Sequence, residues 1–227
     1  MDKAFWDRVA PGFGIVFAVL FLLGFLLIGD SPALDAPAEE VASYYEDKRG
    51  KLLTVTVLFG LSIVAFLWFL GSVVHTLRVE ADESRLAATA LGAGVVTTSL
   101  FGGVVLMNAG LAFQIAEDGD AGVVAALYDL AWVASTLISY PVAAFVFATG
   151  IGVMRGRLLP AWFGWASAVG ALAILVSGTT FAQDGFWAPD GVYNAYLAPV
   201  VFLAWAVALS GLLLRRVARP LEPARQT

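Results

Sequence analysis

Six long runs of apolar residues divide the chain, and most charged residues lie in the segments between them. We place these runs at residues 11–29, 52–77, 87–115, 122–154, 161–182 and 193–214. Each is long enough to cross a hydrocarbon core of about 30 Å, which takes roughly 20 helical residues. A bilayer offers the backbone no hydrogen-bond partner, so continuous runs of this length indicate helices and not alternating barrel strands. The pattern predicts an all-α fold, a polytopic membrane helical bundle with six transmembrane helices.

The composition agrees with a membrane protein, because 60% of the 227 residues are hydrophobic and only 14% are charged. The connections between the predicted spans are short except for the first loop. We therefore assign residues 1–219 to a single six-span membrane domain. Residues 220–227 contain two prolines and are predicted to form a flexible cytoplasmic tail.

The basic residues predict how the bundle is oriented, because lysine and arginine near the ends of spans resist translocation and stay in the cytoplasm. Ten of the 13 fall in the N-terminal segment, the second and fourth loops and the tail. They are Lys3, Arg8, Arg78, Arg85, Arg155, Arg157, Arg215, Arg216, Arg219 and Arg225. We therefore predict a multi-pass protein of the plasma membrane with both termini in the cytoplasm.

Most acidic residues fall in the outer loops of this topology. Clustered negative charge could form a vestibule that concentrates cations by focusing the local electric field. The simpler interpretation is that the asymmetry reports only the orientation of the chain and the solvation of its loops.

The first outer loop, residues 30–50, contains the pattern of a short helix. Two glutamates follow Pro37 and suit the positive end of a helix dipole. Val41, Tyr44 and Tyr45 recur at helical spacing and form one apolar, aromatic face. We predict a short extracytoplasmic helix between the first two spans. Its commoner role would be an anchor at the membrane interface, and the alternative is a lid over a cavity.

Several kinds of chemistry are excluded by residues that the chain lacks. There is no cysteine, so disulfides and thiolate metal sites are ruled out. The single histidine, His75, cannot supply a histidine-rich metal site. No pattern places a base and a nucleophile at one depth, so an enzyme acting on lipid is the least favoured function. We assign no catalytic residue, metal, cofactor or nucleic-acid partner.

One acidic residue, Asp129, lies inside the fourth apolar run. An ionisable group costs about 2.5–3.5 kcal/mol at the middle of a membrane, so it normally faces protein or water and has a partner. On a helix, Asp129, Trp132, Thr136 and Tyr140 share one stripe. Asn108, on the antiparallel third span, reaches a similar level. We therefore predict that Asp129 faces the interior of the bundle.

These polar residues have two interpretations. In the first, they form an outward-facing pocket that binds, or carries across the membrane, a cation, a proton or a small ligand. The candidate ligand-binding residues are Asp129, Asn108, Tyr128, Thr136, Tyr140 and Lys51. In the second, Asp129 pairs with Lys51 or Arg49 in a clasp that fixes helix register, and each hydrogen bond contributes about 0.6–1.7 kcal/mol.

Small residues at helical spacing predict close contacts between spans, because van der Waals packing and hydrogen bonds hold membrane helices together. Gly102 and Gly103 in the third run and Gly164 and Gly170 in the fifth are examples. The same faces could contact a second copy of the chain or another protein. Besides membrane lipid, the predicted partners are a homo-oligomer or a partner membrane protein. The alternative function is a structural or partner subunit with no ligand site of its own.

Three short elements carry a resemblance to known proteins. They are YYEDKRGKLL at 44–53, LWFLGSVVHTLR at the end of the second span, and LLPAWFGWASAVGAL at 158–172. Together they resemble a family of uncharacterised bacterial six-span membrane proteins, common in actinobacteria, with a Tyr-Tyr-x-x-Arg and a Leu-Pro-x-Trp-Leu-Gly-Trp element at those places. A basic residue commonly stands in that pattern where this chain has Ala161. The resemblance implies a topology in a bacterial plasma membrane, and no activity.

Overall fold

The computed structural model describes residues 9–217, apart from the side chains of Asp118 and Val217. This part of the chain is all-helical, with no strand. Its seven main helices are α1 (Ala10–Ile28), α2 (Ala38–Asp47), α3 (Arg49–Glu80), α4 (Ser84–Ile115), α5 (Ala121–Arg155), α6 (Ala161–Ser177) and α7 (Tyr193–Arg216). The predicted tail 220–227 and the basic residues Lys3, Arg8, Arg219 and Arg225 lie outside the described residues.

Five helices, α1, α3, α4, α5 and α7, are long and apolar enough to cross a membrane, which confirms the prediction of a helical membrane bundle. Their bounds differ from the predicted ones by at most three residues. The remaining predicted span is too long, because α6 ends at Ser177 and not at residue 182. There the hydroxyls of Thr179 and Thr180 donate to carbonyl oxygens of the last helical turn, a local bonding pattern that competes with helix continuation.

The helices differ considerably in length. With 35 residues α5 is about 52 Å long, whereas α1, with 19 residues, measures about 28 Å and α6, with 17, about 25 Å. The long helices α3, α4 and α5 are consecutive in the chain and pack against one another. One side of the bundle is therefore much taller than the other.

Consecutive long helices run antiparallel and give the bundle two ends. At one end α2 packs on the start of α5 and on the adjoining ends of α3 and α4. We call this end the lid end. The opposite end is called the far end. Ser167 packs against Gly150, and the Tyr140 hydroxyl meets Gly178, so α6 runs beside α5 from the far end to about the middle of α5. α7 returns to the far end, where Arg216 pairs with Glu80.

The predicted helix in the first loop is confirmed as α2, and it packs on the bundle. Val41 and Tyr45, on its apolar face, are buried against Leu111, Val124 and neighbouring side chains of α3, α4 and α5. Since this face is covered by protein, the prediction that it anchors the loop at a membrane interface is wrong. The lid arrangement is the one observed.

Aromatic rings fill the core between the middle of the bundle and the far end. The rings of Phe17, Phe66, Phe69, Phe145, Phe202 and Trp205 form one cluster, the aromatic plug, with neighbouring centroids 5.2–6.5 Å apart. Most of these contacts are tilted or edge-on, and they add to the dispersion energy of packing. The far half of the bundle is therefore closed.

Small residues allow α5 and α6 to approach closely. Gly164 faces Met154, which confirms a predicted small-residue contact, and Gly150 faces Ser167 on the other side of the same interface. A Cβ added to Gly150 would overlap the Cβ of Ser167. By contrast, a Cβ added to Gly92 on α4 would meet open space.

We expect Gly150→Ala to lower the free energy of unfolding by about 2 kcal/mol, because the added methyl group must push two packed helices apart. Gly92→Ala is the matched control and is expected to be neutral or slightly stabilising, since alanine favours a helix over glycine. The measurement is reversible unfolding of the purified protein in mixed detergent micelles. Equal stability of the two variants would contradict the close approach of α5 and α6.

Candidate functional site

A cavity of about 320 Å³ lies beneath α2 at the lid end, and we call it the lid cavity. Eight aromatic residues make up much of its wall: Phe25, Tyr44, Tyr45, Phe59, Phe101, Tyr128, Trp132 and Tyr196. The polar residues of the wall are Asp30, Ser31, Thr56, Asn108 and Ser135. The exposed lining residues lie at the end of α1, in the segment that follows it and on α7. The cavity therefore opens on that side of the bundle.

A hydrogen bond connects α2 to the wall of the lid cavity. The Tyr45 hydroxyl donates to the Asn108 Oδ1 at 2.6 Å, and the Asn108 Nδ2 donates to the Val104 carbonyl oxygen at 2.9 Å. Tyr45 is 1% exposed, so this bond is shielded from solvent. Asn108 therefore lies in the wall, as predicted, but its partner comes from the lid and not from α5.

The segment between α1 and α2 is held by three further hydrogen bonds. The Tyr128 hydroxyl donates to the Pro32 carbonyl oxygen at 2.5 Å, and the Leu34 backbone N–H donates to the Asp190 Oδ2 at 3.1 Å. The Lys48 Nζ donates to the Asp30 carbonyl oxygen at 3.1 Å. Tyr128, a predicted site residue, therefore lines the cavity and also holds the rim in place.

A second polar cluster, centred on Asn194, joins α5, α6 and α7. The Asn194 Oδ1 accepts from the Ser177 hydroxyl at 2.8 Å, and its Nδ2 donates to the Pro189 carbonyl oxygen at 2.6 Å. Two hydroxyl oxygens on α5, those of Ser135 and Thr136, also lie 3.2 Å from the Nδ2. Thr136, predicted for the ligand site, belongs to this cluster and does not line the lid cavity.

The structure corrects the prediction for Asp129. The residue lies on the exposed side of α5, does not line the lid cavity, and forms no hydrogen bond or ion pair with any residue in the described range 9–217. Lys51 is also exposed, and Arg49 pairs with Glu117 at 2.9 Å. The predicted clasp between Asp129 and a basic residue of α3 is therefore wrong, and so is the inward orientation of Asp129.

The error has a physical cause in the register of α5. The packed face of this helix runs through Val124, Tyr128 and Ala131, because that side meets the apolar cluster beneath α2. Adjacent residues of a helix are about 100° apart, so burial of Tyr128 places Asp129 outside the packed face. Tyr140, the last member of the predicted stripe, is 43% exposed, and its hydroxyl donates to the Gly178 carbonyl oxygen at 2.8 Å.

A smaller cavity of about 160 Å³, the core cavity, lies deeper in the bundle. It shares Phe101, Val104 and Ser135 with the wall of the lid cavity, so only side chains separate the two spaces. Its far side is formed by Phe17, Phe66 and Phe202 of the aromatic plug. The two cavities therefore follow one another along the bundle and end at the plug.

Neither cavity has the ligands of a metal centre. Within residues 9–217, the structure contains no group of three or more His, Asp or Glu side chains arranged to hold a metal ion. The lid cavity has one carboxylate residue in its wall, Asp30, at the exposed rim. Aromatic rings, hydroxyls and one amide are groups that bind through apolar contact and neutral hydrogen bonds.

Burial affects the titration of the two tyrosines on α2. Removal from solvent raises the pKa of Tyr44 from 10.0 to about 12, with smaller contributions from Tyr128 and from the nearby charge of Asp30. Burial also raises the pKa of Tyr45. Between pH 10 and 12 the folded protein keeps the Tyr44 proton that the unfolded chain loses, so stability must fall as the pH rises through this window.

We expect the melting temperature to decrease between pH 10 and 12, and to decrease less steeply in Tyr44→Phe, which has no phenol proton to lose. Thermal melts across this range, combined with ultraviolet absorbance of tyrosinate, test this. A titration of Tyr44 at the ordinary pKa of 10.0 would show that α2 is not packed as described.

Sequence reasoning found Asn108 and Tyr128 as site residues but missed the role of Tyr45. The only signal for Tyr45 was its place on the aromatic face of the first-loop helix.

No known family model matches the chain, and no similar protein was found among curated proteins or solved structures. The resemblance to the uncharacterised bacterial six-span family therefore stays a prediction.

Proposed function

We propose that this chain is a six-span integral protein of the bacterial plasma membrane that binds a small amphiphilic molecule in the lid cavity. The observation that carries the proposal is a cavity of about 320 Å³ with a largely aromatic wall and a polar rim. Ligand sites for small molecules are typically apolar spaces of about 300–1,000 Å³ with a few placed polar groups.

The distribution of polar groups determines the orientation of the ligand. Asp30 and Ser31 lie at the exposed rim, whereas Phe59, Phe101 and Trp132 line the wall within the bundle. A polar head would therefore stay at the rim, and the apolar part would lie among the rings. Leu26, also at the opening, is 67% exposed on α1, so an apolar ligand could reach the cavity from lipid.

The position of Asp129 argues against a cation or proton site inside the bundle. An exposed carboxylate outside the cavity has no part in coordinating a buried ion. A lining with one carboxylate residue at its rim would leave a bare cation poorly compensated. A small and mostly apolar molecule suits the cavity better than the cation or the proton considered from the sequence.

The topology with both termini in the cytoplasm would place the lid end outside. Two facts support six crossings: α6 runs antiparallel to α5 from the far end toward the lid end, and α5 and α7 both run to the far end. The far end also holds Arg78, Arg155 and Arg216, in agreement with a cytoplasmic side.

The chain contains no cysteine, so single cysteines can report which side each end faces. With an impermeant maleimide on intact cells, Ser43→Cys on α2 should be labelled. Ser84→Cys, at the start of α4 and at the far end, should be labelled only after the cells are permeabilised. The opposite pattern would invert the proposed orientation. Labelling of both cysteines in intact cells would contradict an odd number of membrane crossings between residues 43 and 84.

Ligand binding is tested by identifying the amphiphiles that copurify with the protein, using mass spectrometry of extracts. Val105→Phe adds a ring to the wall of the lid cavity and should reduce the bound amount about tenfold or more. Leu106→Phe is the matched control, because the neighbouring residue is 72% exposed on the outer surface. Asp129→Asn should also keep the ligand. Equal ligand content in Val105→Phe and Leu106→Phe would overturn the proposal.

One observation favours the alternative of a partner subunit. α4 is the least buried of the five long helices, and the space around its Gly92 and Gly103 is open. A second membrane helix could approach such a face closely. Gly103→Leu should then shift the mass of the protein measured in nanodiscs from an oligomer to a monomer. A monomeric wild-type protein would remove this alternative.

A further inference from the structure

The core cavity and the lid cavity together form a space longer than a single small group needs. Phe101, Val104 and Ser135 border both cavities, so the partition consists of side chains alone. The ring of Phe101 lies 5.5 Å from that of Phe21 and 5.3 Å from that of Phe59. A ligand that occupied both spaces would have to displace this side chain.

The core cavity has the volume of one six-membered ring. Its volume is about 160 Å³, and an apolar protein cavity of about 150 Å³ is known to stay dry and to bind benzene. Phe66, Ile138 and Val142 contribute apolar walls to it. A compact, flat apolar group therefore fits the space.

One hydroxyl group beside this cavity has no partner. Thr97 of α4 is 7% exposed and lines the core cavity, and its hydroxyl forms no hydrogen bond within the described part of the chain. A buried hydroxyl without a partner costs free energy, and such groups are uncommon in folded proteins.

Of the other polar groups of the core cavity, the Ser139 hydroxyl also forms no hydrogen bond within the described residues, and the rest are engaged. The adjacent Thr98 hydroxyl donates to the Gly94 carbonyl oxygen at 2.8 Å, and Asn194 is held by the cluster described above. A water molecule would need about two to four polar partners to be held in the cavity. An oxygen atom on a ring-sized ligand would need only the one hydroxyl.

We propose that the core cavity is a second subsite, which takes the buried end of the ligand of the lid cavity. This end is a ring-sized apolar group with one hydrogen-bonding oxygen, a phenol or cyclic ketone in chemical class, which bonds to the Thr97 hydroxyl. The inference rests on the proposed function, since the ligand is the one proposed for the lid cavity. It identifies the ligand as an elongated amphiphile with an oxygen at each end and an apolar middle.

The test compares 4-fluorophenol with fluorobenzene, two probes that differ by one hydroxyl group. Binding is measured by fluorine NMR with the full-length protein in nanodiscs, with empty nanodiscs as the reference for lipid partitioning. We expect the wild type to bind 4-fluorophenol about tenfold more tightly than fluorobenzene. Thr97→Val, which keeps the shape of the side chain, should remove this preference and leave fluorobenzene binding unchanged.

Two further variants locate the site. Ser139→Leu adds volume to the wall of the core cavity and should abolish binding of both probes. Thr98→Val removes a hydroxyl of the same wall that is already bonded to the backbone, and should keep the tenfold preference. If Ser139→Leu does not fold, the comparison of Thr97→Val with Thr98→Val decides alone.

Three results would overturn the inference: no probe binding in the wild type, the same preference in Thr97→Val as in the wild type, or full binding in a folded Ser139→Leu. None of them affects the lid cavity. The proposed function fails separately, when Val105→Phe retains the copurified amphiphile at the level of Leu106→Phe.

Discussion

Replacing Tyr45 by alanine is expected to lower the free energy of unfolding by about 4 kcal/mol, in the range of other large aromatic truncations in packed cores. The side chain is 1% exposed, and its ring packs against that of Tyr128 with centroids 6.1 Å apart. Its loss would leave a void beneath α2 and remove the partner of the Asn108 Oδ1. Reversible unfolding in mixed detergent micelles measures the change.

Two milder substitutions separate the ring from the hydroxyl. Tyr45→Phe keeps the ring and should cost about 1 kcal/mol through the lost hydrogen bond. Tyr44→Phe, on the half-buried neighbour, should cost less. Limited proteolysis of the first loop should follow the same order. If the Tyr45→Ala protein were as stable as the Tyr44→Ala protein, or more stable, this would contradict the packing of α2 on the bundle.

The second large effect is expected at Asn194, where leucine should lower the free energy of unfolding by about 3 kcal/mol, because several polar groups lose partners at once. Leucine is similar in size but forms no hydrogen bonds. The Ser177 hydroxyl and the Pro189 carbonyl oxygen would both stay buried without their amide partner. The same unfolding measurement applies, and protease sensitivity should rise in the segment between α6 and α7.

Gln183→Leu is the control for this experiment, since the residue is an exposed amide in the same connecting segment. It should change stability by less than about 0.5 kcal/mol. A double-mutant cycle of Asn194→Leu with Ser177→Ala should show coupling, because the two side chains share a hydrogen bond of 2.8 Å. Additive effects would indicate that the cluster does not act as a unit.

The helices could be predicted from the sequence because each depends on a local property. Uninterrupted apolar runs gave the bounds of α1, α3, α4, α5 and α7 to within three residues. α6 was predicted too long because the apolar composition continues after Ser177, whereas the helix is ended by side-chain hydroxyls that bond to its last carbonyl oxygens. Composition reports where a chain is apolar, and local hydrogen bonding determines where a helix stops.

The candidate site could be predicted only in part, because its geometry depends on how the helices are rotated and aligned. Asn108 and Tyr128 were identified from their depth in neighbouring spans, and both line the lid cavity. Asp129 was wrongly placed because the rule that charges avoid lipid assumes a position deep in the membrane. Asp129 lies only about two turns from the start of α5, so the cost that applies at the middle of a membrane does not determine its orientation. The pairing of Tyr45 with Asn108 joins residues 63 positions apart, and no local pattern reveals such a contact.

The unequal helix lengths have a consequence for the surrounding bilayer. If α6 crosses the membrane as proposed, the bilayer beside its roughly 25 Å of helix would have to become thinner by several ångströms, while α5 is longer than the hydrocarbon core. The deformation would be confined to one flank of the protein and would compress the lipids there. Bilayers of lipids with shorter acyl chains would relieve this mismatch. The thickness of the bilayer is therefore expected to influence the stability of the protein.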